Sequence, residues 1–494
     1  MLLVKWLHFM QKLYKFFRIL LYYNKMNVTL INPPITAGER YGSVVKEGGG
    51  RQAPLGICYI AAVLEKNGIN VSVIDAEAES LSYEQVIQRM ERFKTNFVGI
   101  TSTTVAFHRA LELAKLIKEE KKDLFVLIGG PHISSIPMHA MAFDCFDAAV
   151  YGEGEYTTLD VVNAVKDGKS IKNIPGVVYR ENGEVKLSER REYIEDLDEL
   201  PYPARHLLPD KNLYNPPPMN YLKRPVLSVV TSRGCPNQCI FCDKAVFGNR
   251  FRFHSAKRIV DEIEFLIKEF GAKEISIVDD TFTVNKDRVF EFCRLMRERK
   301  VKIHWNARIS ENTVTKEMLV EMKEAGCWYL EIGVETGNLE VMKFIRKGTT
   351  LEKIREIVTW ADKLGMVVKG FFIIGHEIDT EDTLKDTINF AKSIPLTDVV
   401  VTIMTPFPNT EAYNVAEKYG KFIHKQDYSK FNAWEVVYVG NNLTEDKLKY
   451  YWKKMYKDFY FRPITVWRHL KHLRDFTALK RYMRGVKVLL KTFV

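Results

Sequence analysis

The sequence predicts an α/β protein: a doubly wound parallel sheet, then a six-unit partial (β/α) barrel, then a basic helical C-terminal region. Three observations predict it. Residues 27–165 alternate strand-like and helix-like runs, the pattern of a parallel sheet with helices on both faces. A proline-rich stretch, "LPYPARHLLPDKNLYNPPP", breaks that alternation at residues 200–218. From residue 223 the alternation resumes with six strand candidates, too few for an eight-fold barrel.

A chain of 494 residues is long enough for two or three domains, each with its own core. Seven cysteines, four of them scattered (Cys58, Cys145, Cys293 and Cys327), do not make a disulfide framework. They fit a reducing, cytoplasmic setting, where a tight cysteine cluster points to metal binding or catalysis. The net charge of +11 lies at the ends. Residues 1–26 carry five basic residues and no acid, and residues 451–494 carry twelve basic residues against Asp458 and Asp475.

The elements follow in order. In residues 1–26, a turn of about 100° per residue gathers Lys5, Lys12, Lys15 and Arg18 on one side. Leu3, Trp6, Met10, Leu13 and Phe17 face elsewhere. This basic amphipathic helix has neither a cleavage site nor the length of a membrane span. It suits the surface of an anionic membrane. Residues 27–165 form the Rossmann-like sheet. Its strands are "NVTLINPP", "INVSVIDA", "FVGITSTT", "LFVLIGGPH" and "FDAAVYGEGE". Ligands of such sheets bind beyond the carboxyl ends of the strands, which makes Thr101, Ser102, Thr103, Gly129, Gly130 and Gly152 candidate contacts. No G-x-G-x-x-G follows the first strand, so a dinucleotide is disfavoured.

Residues 166–222 read as a linker with a hairpin at Asn182-Gly183. Residues 223–430 read as the partial TIM-type barrel. Its strand ends carry, in order, a cysteine loop, Asp279-Asp280, Arg308, Glu335, Gly375-His376-Glu377 and Pro406-Phe407-Pro408. Such ends are where barrel chemistry collects. Residues 431–494 are helical, basic and aromatic-rich, suited to closing a cleft or presenting a membrane-soluble substrate.

The loop "CPNQCIFC" places Cys235, Cys239 and Cys242 in a C-x3-C-x2-C pattern. Thiolates suit zinc or iron–sulfur clusters. A structural zinc site needs four ligands, and His254 is a candidate for the fourth. A four-iron cluster usually takes four cysteines, so three would leave one iron open.

This loop resembles the radical S-adenosylmethionine (radical SAM) signature, C-x3-C-x-aromatic-C, just after the first barrel strand. The resemblance implies that Cys235, Cys239 and Cys242 are the catalytic set and hold a [4Fe-4S] cluster. It implies that S-adenosylmethionine chelates the open iron. An electron from a donor such as a flavodoxin or ferredoxin then releases a 5′-deoxyadenosyl radical. It further implies Phe241 beside the adenine, and Asp279 or Asp280 at the methionine amino group in place of the family's Gly-Gly-Glu segment. Arg308 would meet the methionine carboxylate, Glu335 the ribose or amino group, and Gly375 the adenine. His304 and His376 read as structural.

Ahead of the barrel, "INPP", "PLGICYIAAVLEKNG", "ITSTT", "IGGPH" and "YGEGE" occur in an order similar to that of the cobalamin-binding radical SAM subfamily. This resemblance covers about residues 27–430. It implies cobalamin at Thr101, Ser102, Thr103, Gly129, Gly130 and Gly152. D-x-H-x-x-G is absent, and His132 is the remaining candidate for a lower ligand. The implied reaction is methylation of an unactivated carbon on a small or lipid-like substrate. The alternative is radical oxidation or cyclisation of a tetrapyrrole or lipid without methyl transfer. A non-enzymatic zinc- or cobalamin-binding protein is the reading of another class. The expected location is cytoplasmic, with peripheral contact on the inner face of the membrane. With no nucleic-acid motif, no nucleic-acid partner is expected.

Overall fold

The computed structural model describes residues 26–45, 49–217, 219–471, 482–483 and 485–487. The amphipathic helix expected over residues 1–26 lies outside the described residues, Met26 excepted.

Five strands form the parallel part of the front sheet: β1 (Asn27–Asn32), β2 (Asn70–Asp75), β3 (Phe97–Thr101), β4 (Phe125–Gly129) and β5 (Ala148–Val150). Their order is β2-β1-β3-β4-β5. Both faces are apolar because both are covered. Ile31, Val98 and Ile100 pack on one side with Phe107 and Leu113 of helix α1 (Phe107–Glu120). Val28, Leu30 and Leu127 pack on the other with Val161 and Val162 of α2 (Gly154–Lys166). β1 and β3 are parallel, but the order in which strands are added reverses between them, and that switch opens a crevice at their carboxyl ends.

The hairpin β6 (Val177–Glu181) and β7 (Glu184–Leu187) pairs antiparallel onto β5. Asn182 and Gly183 both adopt positive φ, 54° and 83°, the twist that favours two-residue hairpin turns. The front sheet therefore runs to Leu187, through the hairpin expected in the linker.

The barrel has six parallel strands in sequential order: β8 (Val226–Val229), β9 (Glu274–Ile277), β10 (His304–Ile309), β11 (Cys327–Glu335), β12 (Val367–Ile374) and β13 (Asp398–Ile403). Register places Arg308 opposite Glu331, Glu331 opposite Lys369, and Lys369 opposite Asp398. A row of alternating charge thus crosses four adjacent strands at one level.

Among the described residues the edge strand β13 has no strand beyond it. Helix α3 (Glu445–Tyr460) covers it instead. Tyr460 and Tyr456 accept the Val399 and Val401 N–H groups at 3.2 and 2.9 Å, and Trp452 donates to the Val401 carbonyl at 2.9 Å. Residues 452, 456 and 460 are one turn apart, so a single helix face satisfies the open strand. Helix α4 (Pro463–Lys471) follows. Among the described residues no helix is long and apolar enough to cross a membrane.

Candidate functional site

The cysteine loop begins at Gly234. Its φ of 83°, and an added Cβ only 2.2 Å from the Arg250 carbonyl, leave room for glycine alone. All three loop thiols are free. Burial pushes Cys239 up to about 11. Cys242 is reachable by solvent but walled by protein. Desolvation, then Asp280 and the two neighbouring thiols, push it up to about 12. Cys235 is raised by the same desolvation. Thiols that raise one another are close, and a cation would be needed to keep them ionised together.

Among the described residues no group of three His, Cys, Asp or Glu side chains is gathered tightly enough for a single metal ion. His254 turns elsewhere, with Nδ1 3.0 Å from Asp198. Three free thiols on one loop with no fourth protein donor suit a polynuclear cluster with an open iron better than a closed zinc site.

Asp279 lies beneath the loop. Its carboxylate accepts the Thr231 N–H and the Ser232 hydroxyl, each at 2.6 Å, and also bonds the Thr231 hydroxyl. Asp280 instead faces the thiols. Its pKa is raised, by burial first. Glu335 ends β11 with φ 64°, a rare conformation for a side chain of this size. Such strain is typical of functional sites. Lys347 lies 3.3 Å from Glu335 and 3.4 Å from Glu311, and all three side chains are buried. Gly333 makes this possible, because a Cβ there would meet Glu335 Oε1 at 2.3 Å. Sequence reasoning missed Lys347 and Glu311. Their only signal was proximity to strand ends.

Phe241 packs with Ile240, Val341 and Met404, its ring 6.0 Å from that of His376. The Gly375 N–H donates to Asp379 at 2.9 Å, and a Cβ at Gly375 would meet Leu448 of α3 at 2.7 Å. Arg308 lies 3.3 Å from Glu331 within the charged row. The structure therefore brings Asp280, Glu335 and Lys347 to the thiols, sets Asp279 underneath, and leaves Arg308 on the cavity wall within electrostatic reach of Asp280.

A cavity of about 1240 Å³ joins the two domains. Asn32, Thr101 and Thr103 line one side, at the β1/β3 crevice. Arg308, Glu331, Lys369 and Asp398 line another. Phe371, Tyr456, Val466, Leu470 and Met483 give it a largely apolar wall. Thr103 Oγ1 is buried here without a hydrogen-bond partner, a donor left for a ligand. Ser102 is turned inward, its N–H bonded to the Gly129 carbonyl at 2.9 Å. Gly130, at φ 100°, is needed because a Cβ would meet Thr101 Oγ1 at 2.7 Å. Gly152, at φ 81°, donates its N–H to Ser134. Both nitrogens of His132 have partners, Thr104 at 3.4 Å and His139 at 3.0 Å. Burial and His139 push it down to about 3 and so keep the ring neutral; both nitrogens are engaged within the front domain. The crevice thus suits a large flat cofactor held from the front sheet.

Fold and site together define an α/β enzyme with a three-thiol loop on a half-barrel and a second cofactor crevice facing it. Residues 229–391 match the radical SAM superfamily and residues 42–162 the B12 binding domain. An uncharacterized methyltransferase of Pyrococcus horikoshii, PH0819, is 33% identical over 464 residues, covering 93% of this chain and 98% of its own. The anaerobic magnesium-protoporphyrin IX monomethyl ester cyclase of Rubrivivax gelatinosus is 27% identical, covering 82% and 72%. The solved cobalamin-dependent S-adenosylmethionine radical enzyme OxsB shares the fold with TM-score 0.73 at 19% identity, covering 95% of this chain and 72% of that one. The chain belongs to the radical SAM superfamily, in the group that carries a B12-binding domain. Its cofactors are a [4Fe-4S] cluster, S-adenosylmethionine and cobalamin.

Proposed function

We propose that this enzyme methylates an unactivated carbon on a substrate with a large apolar body, taken up at a membrane surface. The observation that carries the reading is the single cavity shared by the front-sheet crevice, the charged row and the apolar C-terminal wall. When bound, the cofactors supply a radical able to take hydrogen from an unactivated carbon, and a methyl group. Cys235, Cys239 and Cys242 would hold the cluster. Asp280 and the Glu335–Lys347 pair would take the polar methionyl end of S-adenosylmethionine, with Phe241 beside its adenine. Asp279 and Gly375 support these residues from behind. Thr101 and Thr103, with Asn32, would hold the corrin, and the turns at Gly129, Gly130 and Gly152 shape that crevice.

The row from Arg308 to Asp398 offers alternating donors and acceptors to a substrate's polar head. The apolar wall takes its body and excludes water from the radical. Ile464 is exposed on the same C-terminal segment as the solvent-reached cavity residues Phe461, Val466, Leu470, Met483 and Val486. The basic charge of residues 451–494 complements an anionic bilayer. An electron donor of the flavodoxin or ferredoxin type completes the system.

Anaerobic reconstitution followed by incubation with S-adenosylmethionine and a lipid extract tests this. The expectation is about four irons per chain, and 5′-deoxyadenosine with S-adenosylhomocysteine in the products. Zinc without iron would overturn the enzyme reading. The cyclase relative favours a second reading, radical cyclisation, under which 5′-deoxyadenosine would form without S-adenosylhomocysteine.

A further inference from the structure

We infer that two front-domain turns grip the cysteine loop from both flanks, and that this clamp sets the spacing between corrin and cluster. On the upstream flank, Arg233 stands two residues before Cys235. Its guanidinium is forked between Glu153 at 2.7 Å and Glu155 at 2.6 Å, with all three side chains almost fully buried. Arg252 pairs with Arg233 across a two-residue antiparallel ribbon. It reaches the same Glu153 at 2.8 Å, and its Nη1 donates to the Ile194 carbonyl at 2.7 Å. On the downstream flank, Asp243 directly follows Cys242. It accepts the Ser135 hydroxyl from the front domain, the Ala245 N–H at 2.9 Å, and the Asn409 amide at 3.3 Å.

The partners lie on the turns that shape the crevice. Glu153 follows Gly152, and Ser135 ends the short helix Pro131–Ser135 that Gly130 opens. The two turns are tied together, since the Gly152 N–H donates to Ser134 at 3.0 Å. Two arginines and two glutamates balance in charge. Buried charges of this kind hold only while every partner is present, and a forked arginine fixes direction as well as distance. The turns and the loop therefore move as one braced unit. Arg233, Glu153 and the Asp243 carboxylate act here as positioning residues.

The inference rests on the reading that the loop holds the cluster and the front crevice the corrin. Its test separates the two. Pulsed dipolar spectroscopy on the loaded enzyme measures the distance between the reduced cluster and cob(II)alamin. The wild type is expected to give one narrow distance. Glu153→Gln and Arg233→Lys, which keep volume but lose the fork, are expected at least to double the width of the distribution. Unchanged width in both variants overturns the clamp. A wild type that loads neither group overturns the underlying reading instead.

Amide exchange on the chain as isolated needs no cofactor. Residues 234–248 are expected to exchange at least tenfold faster in each variant, while Phe97–Thr101 and His304–Ile309 keep their protection. Unchanged exchange in the loop, or equal loss in those strands, overturns the positioning role.

Discussion

Replacing Lys347 by methionine removes the one cation between two buried carboxylates. Lys347 is 8% exposed, Glu311 1% and Glu335 9%, and the contacts of 3.4 and 3.3 Å are longer than ideal charge-assisted bonds. Burial alone would pull the Lys347 ammonium down, but Glu311 and Glu335 outweigh it and its pKa is raised. Breaking one side of a buried ion pair costs about 3–5 kcal/mol; the long contacts put Lys347→Met near the lower end, ~3 kcal/mol at neutral pH. The sign of its pH dependence follows from Glu311. Burial already raises that carboxyl, and Lys347 partly holds it down, so losing the lysine raises it further. A carboxyl raised on folding binds more protons folded than unfolded, so stability falls as pH rises above its unfolded value of about 4.3. The deficit should therefore be small near pH 4 and full at neutral pH. Anaerobic urea denaturation of the apo-chain, followed by tryptophan fluorescence across this range, measures it. The double variant Glu311→Gln/Lys347→Met should recover roughly half of the loss, because one unpaired charge is gone. A loss below about 1 kcal/mol, or one that does not vary with pH, would refute the reasoning.

Glu377 is buried with neither oxygen bonded, and burial pushes it up to about 7. Its cost is absent below the unfolded value and full above the folded one. Glu377→Gln should therefore stabilise the chain above pH 7, by up to ~3 kcal/mol, and leave it unchanged near pH 4, as read by thermal melts. Gly234→Ala places a methyl 2.2 Å from the Arg250 carbonyl; iron per chain after reconstitution should fall severalfold while far-ultraviolet dichroism is kept. Cys235→Ala should lose the absorbance near ~400 nm and the bound iron of a cubane cluster. Val466→Asp with Leu470→Asp puts charge on the exposed C-terminal face, and binding to anionic vesicles in flotation should drop at least tenfold.

Strand alternation made the two-sheet architecture legible because the front sheet's first five strands and all six barrel strands are parallel and mostly buried, leaving short continuous apolar runs. The thiols were legible because their ligand spacing is local. What sequence could not show was set by register and tertiary approach. Arg308 read as a contact for the methionine carboxylate, yet strand register aligns it with Glu331, Lys369 and Asp398, three residues with no motif. Asp279 and Asp280 are adjacent in sequence, but opposite sides of the chain send one beneath the loop and the other toward the thiols. Lys347 comes twelve residues after Glu335, beyond a short helix (Leu339–Phe344), and only the turn after that helix brings it back to Glu335. Gly375 read as an adenine contact; its φ of 83° and the close approach of Leu448 of α3 are features of the fold that no sequence pattern displays.

The barrel's free edge ends in a seam of side chains rather than another strand. Trp452, Tyr456 and Tyr460 satisfy β13 one helical turn at a time, and Tyr456 and Tyr460 also line the cavity. Each of the two tyrosines is both a closure and a wall tile. Trimming one aromatic ring there enlarges the chamber while the cysteine loop, carried at the far end of the six-strand order, keeps its mooring. Chamber size is thereby decoupled from radical generation, and one scaffold can be refitted for bodies of different girth by substitutions along a single helix face.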